Sequence, residues 1–347
     1  MKQHLRNAQN TGKNERMHVI GAGAWGTTLA ILAHRAGNEV TLVSHHDETI
    51  YSLRNHRIHP RSLPGITIPI EIEIAAIDAF AIDEDDIVIL AFPVQQLRNT
   101  ATSLDEAIGS ATVVSAAKGI EIGTLQTPLT ILEKVLSGVD RLRLAALSGP
   151  NLAPEIAAGN PATTVVASHF LDTAIRVQRA LTSDSFRVYT STDVTGVEMG
   201  GALKNIVAIG AGIADGLGAG HNAKAAFMTR GIAEIARLGI ACGAEPLTFA
   251  GLSGIGDLIA TCGSSMSRNH TVGRALAEGR NLEEIVSTMS ETAEGVDTTR
   301  AALQLAERLG VEVPIIRGMH RVLFEGVSPL LAAMELMTRE PTVESLG

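Results

Sequence analysis

Residues 17–26 read MHVIGAGAWG, a short and mostly apolar run leading into a glycine-rich turn. Gly21, Gly23 and Gly26 make the pattern GxGxxG. The first glycine permits a tight turn and the second lets the backbone approach a pyrophosphate. The third allows close packing of helix on strand, and the helix N-terminus offers unpaired N–H groups to an anion. A bare GxGxxG says little. Here it follows a strand pattern and opens a helical segment, 24–36, that Gly37 can cap. The stretch predicts a dinucleotide-binding strand–turn–helix at the front of an α/β domain.

Outward from it, short apolar runs alternate with helical segments. Strand candidates are MHVI (17–20), EVTLV (39–43), DIVILAF (86–92), ATVVSAA (111–117), LRLAALS (142–148), TTVVAS (163–168) and FRVYTS (186–191). Most are nearly continuous apolar runs, as strands covered on both faces should be. With helical stretches such as 126–137 between them, they predict a doubly wound, largely parallel, Rossmann-like sheet. After residue 192 only helical stretches follow, among them 196–213, 222–238 and 297–309. The expected organisation is a disordered polar tail over 1–16, a dinucleotide-binding domain over 17–192 and an all-helical substrate domain over 193–347.

Composition narrows the function. The 347 residues are 45% hydrophobic and 19% charged, enough for buried cores. Aromatics are only 3%, so aliphatic and glycine–alanine contacts must do most of the packing. Lys+Arg 28 against Asp+Glu 37 gives a net charge of −9, which argues against nucleic-acid binding. An anionic substrate would then need a local group of cations. Two cysteines without CxxC spacing, a polar N-terminus and no uncharged apolar run of about 18 residues fit a cytoplasmic protein with no membrane span.

The second strand should end in an acid that holds a ribose 2′-hydroxyl if the cofactor is NADH. The chain instead reads Val43-Ser44-His45-His46-Asp47. Asp47 comes a step or two late, and His45 stands nearer the expected place. NADPH is therefore permitted, and two solvated loop histidines are an equal alternative. His45, His46, His56 and His59 do not make a metal site.

Other polar residues stand out by their settings. Lys204 is the only formal charge between Glu198 and Asp215, and its helical neighbours Gly200, Gly201, Val207 and Ala208 include no acid. It either snorkels from a core helix or points into a cleft that needs an amine. Lys118 and the Gly149-Pro150-Asn151 turn follow two strand candidates, where ligands bind in open α/β sheets. Asp257 is a lone acid in LSGIGDLIATC, a setting also typical of a helix N-cap. Arg268, in the SRN triplet Ser267–Asn269, offers a planar fork for phosphate or carboxylate.

IGAGAWGTTLA, AAKGIE, LSGPN, VEMGGALKNIVAIGAG, GLSGIGDLIATC, SRNHTVGR and AEGVDTT stand in the order seen in bacterial NAD(P)-dependent sn-glycerol-3-phosphate dehydrogenases. The chain resembles that family from about Met17 to near residue 325. The resemblance implies reversible reduction of dihydroxyacetone phosphate to sn-glycerol 3-phosphate by NADPH or NADH without a metal, feeding phospholipid synthesis. It implies Lys204 as general acid/base, with Asn205 and Asp257 as its polar companions. Ser267, Arg268, Asn269, Lys118, Gly149 and Asn151 would contact substrate, Lys118 and Arg268 also cofactor. Ala24, Trp25, His45, Ala153, Thr292 and Glu294 match cofactor positions beside the three glycines. Asn151 replaces the usual Ser or Thr, and Ala293 the usual valine. A homodimer through the helical domain is the expected assembly. Alternatives are a related two-domain dehydrogenase of another hydroxy acid or sugar phosphate, and a non-catalytic NAD(P)-binding sensor.

Overall fold

The structure, a computed structural model, describes residues 14–289 and 292–340. Eight strands form one sheet: β1 (Arg16–Ile20), β2 (Glu39–Ser44), β3 (Glu73–Ala76), β4 (Ile87–Leu90), β5 (Thr112–Ser115), β6 (Leu144–Ser148), β7 (Ala162–Ala167) and β8 (Phe186–Ser191). Their order is β3-β2-β1-β4-β5-β6-β7-β8. All neighbours run parallel except β6 and β7, which pair antiparallel. The order reverses between β1 and β4, so a crevice opens beyond the carboxyl ends of these strands.

The apolar runs form strands because both faces of the sheet are covered. Every residue of β4, β5 and β6 is buried, and separate apolar clusters fill the two sides. The sequence reading missed β3, a four-residue edge strand whose acid-containing run EIEIAAI lacks the continuous apolar signature of its neighbours. It also ran two strands too long. Ala91, Phe92 and Ala116 leave the ladder and line the crevice instead. Of the polar tail expected over 1–16, residues 1–13 lie outside the described residues. Glu15 and Arg16 do not belong to a loose tail. Glu15 accepts from Arg176, and Arg16 opens β1 while donating to Asp86.

Among the described residues no strand follows Ser191. The helix Val194–Gly216 comes next, 23 residues of glycine, alanine and branched aliphatics capped by Asp193, whose Oδ1 accepts from Gly196 N at 2.8 Å. It is long and apolar enough to cross a membrane, yet 94% of its apolar window is buried inside the fold. It is the central helix of a third apolar cluster, built by the helices that follow it. One side packs on β6 so closely that a Cβ on Gly201 would sit 2.3 Å from Ser148 Oγ. That approach carries the helix to the mouth of the crevice.

Candidate active site

The glycine loop is built as its residue types require. Gly21 has φ +111°, and a Cβ there would lie 2.4 Å from Ala91 O. On Gly26 it would meet Gly21 O at 1.8 Å, so Gly26 lies under the loop and sets the helix–strand distance. Nothing stands within 4 Å of a Cβ on Gly23. That side faces a cleft of about 710 Å³ between the sheet and the helices. The helix Ala24–Arg35 starts there and stops at Gly37, φ +94°, whose N–H donates to His34 O.

The cleft gathers most of the residues singled out in the sequence. At one end stand Gly21, Gly23, Ala24, Trp25, His45 and Ala153. At the other stand Lys118, Asn151, Lys204, Asn205 and the Ser267–Asn269 triplet, with Thr292 and Glu294 on the rim. Gly149 and Asp257 lie just behind this wall and act through the lysines. Gly149 O accepts from Lys118 Nζ at 3.1 Å. Asp257 takes both ammonium groups, Lys118 Nζ at 2.6 Å on Oδ2 and Lys204 Nζ at 2.9 Å on Oδ1.

Lys204 therefore does not snorkel. Its side chain is 7% exposed and turns into the cleft floor. Its partner acid comes from 53 positions away, which is why no i±4 neighbour supplies one. Asp257 begins the helix Asp257–Gly263 and is not its N-cap, a position held by Gly256. Thr261, one turn further on, accepts from Lys204 Nζ at 2.6 Å and donates to Asp257 Oδ1 at 3.1 Å. Sequence reading missed Thr261 as a site residue. The i, i+4 spacing from Asp257 was the available signal. These two side chains hold the amine, while Asn205 lines the cleft beside it.

Burial pushes the Lys204 amine below the ordinary lysine range, with Asp257 pulling the other way and Lys118 adding to the fall. Burial would raise the Asp257 carboxyl, but the two ammonium groups outweigh it and hold it below its usual range. Two amines on one carboxylate leave the floor of the cleft net positive. Burial and the neighbouring His46 lower His45, which keeps its imidazole neutral.

Ser267 caps the helix Arg268–Ala277 with its hydroxyl, accepting from His270 N at 3.3 Å. That helix therefore points its N-terminus, with Arg268, at the cleft. Arg268 donates to Thr292 O at 2.8 Å. Asn269 Oδ1 accepts from Gly295 N at 3.0 Å, tying the triplet to the helix Glu294–Leu309. Asn151 donates to Thr164 Oγ1 at 3.0 Å, while its Oδ1, Ser148 Oγ and Trp25 Nε1 are buried without hydrogen-bond partners. Buried polar atoms are ordinarily satisfied, and Asn151 and Trp25 both line the cleft, so their two unpartnered atoms, with the open face of Gly23, fit a large polar ligand there.

The chain is similar to known proteins over most of its length. Residues 16–174 match the family model described as NAD-dependent glycerol-3-phosphate dehydrogenase N-terminus, and residues 193–334 match its C-terminus counterpart. The chain is 45% identical over 330 residues to a glycerol-3-phosphate dehydrogenase [NAD(P)+] of Chlorobium phaeobacteroides, covering 95% of this chain and 99% of that one. It is 46% identical over 333 residues to the protein of the same name from Citrifermentans bemidjiense, covering 96% and 99%. The crystal structure of glycerol-3-phosphate dehydrogenase from Coxiella burnetii superposes with a TM-score of 0.87 at 31% identity, covering 94% of this chain and 99% of that one.

Proposed function

This chain belongs to the NAD-dependent glycerol-3-phosphate dehydrogenase family, and from that premise we propose that it interconverts dihydroxyacetone phosphate and sn-glycerol 3-phosphate, with Lys204 as general acid/base. The observation that carries the reading is the Lys204 amine, buried at the cleft floor between Asp257 and Thr261. When bound, NADH or NADPH would supply the hydride for reduction, and NAD+ or NADP+ would take it up in the reverse direction. The protein handles the oxygen. Lys204 donates a proton to the C2 oxygen during reduction and takes it back during oxidation. Lys118, on the same carboxylate, adds positive charge where the oxyanion develops.

Asp257 and Thr261 fix the direction of the Lys204 N–H bonds. Arg268, Asn269 and the helix N-terminus behind Ser267 receive the substrate phosphate and set the distance to C2. Three glycines, Ala24, Trp25, His45, Ala153, Thr292 and Glu294 receive the dinucleotide, and Asn151 and Gly149 shape the substrate end. We divide the chain into a dinucleotide unit (17–192) and a substrate unit (193–347). The end of the sheet at Ser191 and the helix starting at Val194 support that division. We also place the protein in the cytoplasm, supplying phospholipid synthesis, as a homodimer through the helical unit. Exposed Leu330, Met334 and Met337 on that unit support the last point.

Absorbance at 340 nm with dihydroxyacetone phosphate and either cofactor tests the activity. Oxidation of NADH or NADPH is expected. Lys204→Met should cost about 10²–10⁴ in turnover while cofactor affinity is retained. Equal turnover in that variant would remove Lys204 from the mechanism, and no oxidation of either cofactor would refute the activity.

A further inference from the structure

The end of the cleft away from Lys204 carries a feature that the reaction itself does not use. The segment 56–63 folds back over the glycine loop and is anchored at several points. Arg57 and Leu63 both take left-handed backbone conformations, φ 54° and 55°. Such conformations cost energy in non-glycine residues and cluster where a loop must hold one shape. Leu63 is buried, and Arg57 donates to Ile72 O at 2.8 Å.

His59 forms the link between this segment and the GxGxxG turn. Its Nε2 lies 2.6 Å from Ala22 O, and its Nδ1 lies 3.2 Å from Arg61 N and 2.9 Å from Ser62 N. A carbonyl only accepts and a backbone N–H only donates. His59 is therefore the Nε2–H tautomer, bonding forward to the dinucleotide loop and backward to the residue that bears Arg61.

Arg61 lines the cleft together with His45 and His46. Its guanidinium is half exposed and only 3.9 Å from Glu48, a loose surface pair of the kind that contributes little and exchanges readily. The residues after β2, where a carboxylate would bind a ribose 2′-hydroxyl, put no acid on the cleft wall here. Asp47 and Glu48 begin the next helix and do not line it. The wall offers an arginine and two imidazoles where a carboxylate would reject a 2′-phosphate.

We propose that Arg61, held over the cleft by His59, is the specificity-determining residue for the cofactor and makes the enzyme prefer a dinucleotide bearing a 2′-phosphate. The proposal rests on the dehydrogenase reading above. Arg61 would exchange Glu48 for the phosphate as a planar, charge-assisted fork. His59 is a positioning residue in this scheme, because its ring ties the backbone of Arg61 and Ser62 to that of the glycine loop.

Two measurements test it. In binding titrations of the protein without cofactor, 2′,5′-ADP should bind at least about tenfold more tightly than 5′-AMP, and Arg61→Gln should abolish the difference. In the 340 nm assay the ratio of kcat/KM for NADPH over NADH should exceed one and fall about tenfold in Arg61→Gln. His59→Ala should lower the ratio in the same direction while Arg61 is still present. Turnover with NADH equal to or better than with NADPH, or a ratio unmoved by Arg61→Gln, would overturn the proposal and leave the dehydrogenase reading intact. No turnover with either cofactor would instead refute that reading, and the 2′,5′-ADP titration would still decide the role of Arg61.

Discussion

At the scale of single residues, the proposed mechanism turns on one amine and what surrounds it. Reduction needs Lys204 as the ammonium, so turnover should fall as pH rises through its pKa. Because burial lowers that pKa, the alkaline limb of the pH–rate profile should lie below the ordinary lysine value of ~10.4. Thr261 stabilises the charged amine by accepting a hydrogen bond from it. Thr261→Val keeps the shape and removes the acceptor. It should shift that limb to still lower pH and cost roughly tenfold in kcat. A limb that stays put in Thr261→Val would show that the hydroxyl does not hold the lysine. Lys204 and Asp257 were both legible as odd residues in apolar settings. Their contact was not, because 53 residues of chain separate them and only the packing of the helices brings them to 2.9 Å.

At the scale of elements, placement of the site depends on glycine contacts between helices. The helix Arg268–Ala277 crosses Val194–Gly216 at Gly273, where a Cβ would sit 1.8 Å from Ile209 O. Backbone cannot yield there as a flexible side chain would. Gly273→Ala should push the two helices apart and destabilise the fold by about 1–3 kcal/mol. Because the first of these helices carries Ser267–Asn269 at its N-terminus and the other carries Lys204, KM for the phosphate substrate should rise as well. Denaturant unfolding and steady-state kinetics on one preparation would check both effects. A destabilised variant with unchanged KM would show that the phosphate is held elsewhere. The glycine loop was readable because its three glycines lie within six residues of one another and each has a local task. The alanine–glycine helix showed an excess of small residues, but not which neighbour each one faces.

At the scale of the whole molecule, two glutamates among the described residues are buried without a salt bridge. Glu198 accepts from Leu129 N at 2.8 Å, at the start of the helix Pro128–Val135. Glu234 accepts from Ile315 N and Ile316 N, at the start of Pro314–Phe324. Burial pushes both up to about 7, against the pull of these backbone bonds. A carboxyl that keeps its proton longer in the fold makes the fold less stable as pH rises. Stability should therefore fall between about pH 4.5 and pH 7, by roughly 3 kcal/mol for each group. Below that window the paired acids Asp86, Asp215 and Asp257, held under their usual range by cationic partners, lose their contribution as pH falls. Maximum stability should lie near the foot of that window, at about pH 4.5. Glu198→Gln and Glu234→Gln should each flatten the upper slope, which unfolding midpoints at pH 5 and pH 7.5 would measure. Equal midpoints in the parent protein would contradict the assignment.

The sequence by itself determined the class of fold, the glycine loop, the change from strands to helices near residue 192 and several of the polar residues that line the cleft. It could do so because periodicity and glycine spacing are local properties, imposed by backbone sterics within a few residues. Only the tertiary structure decided that Asp257 serves two lysines, that Thr261 completes the group, and that His59 ties the loop bearing Arg61 to the glycine turn. Those contacts join residues far apart in the chain. They exist because apolar burial brings the sheet and the helices together, and no local pattern records which polar side chains then meet.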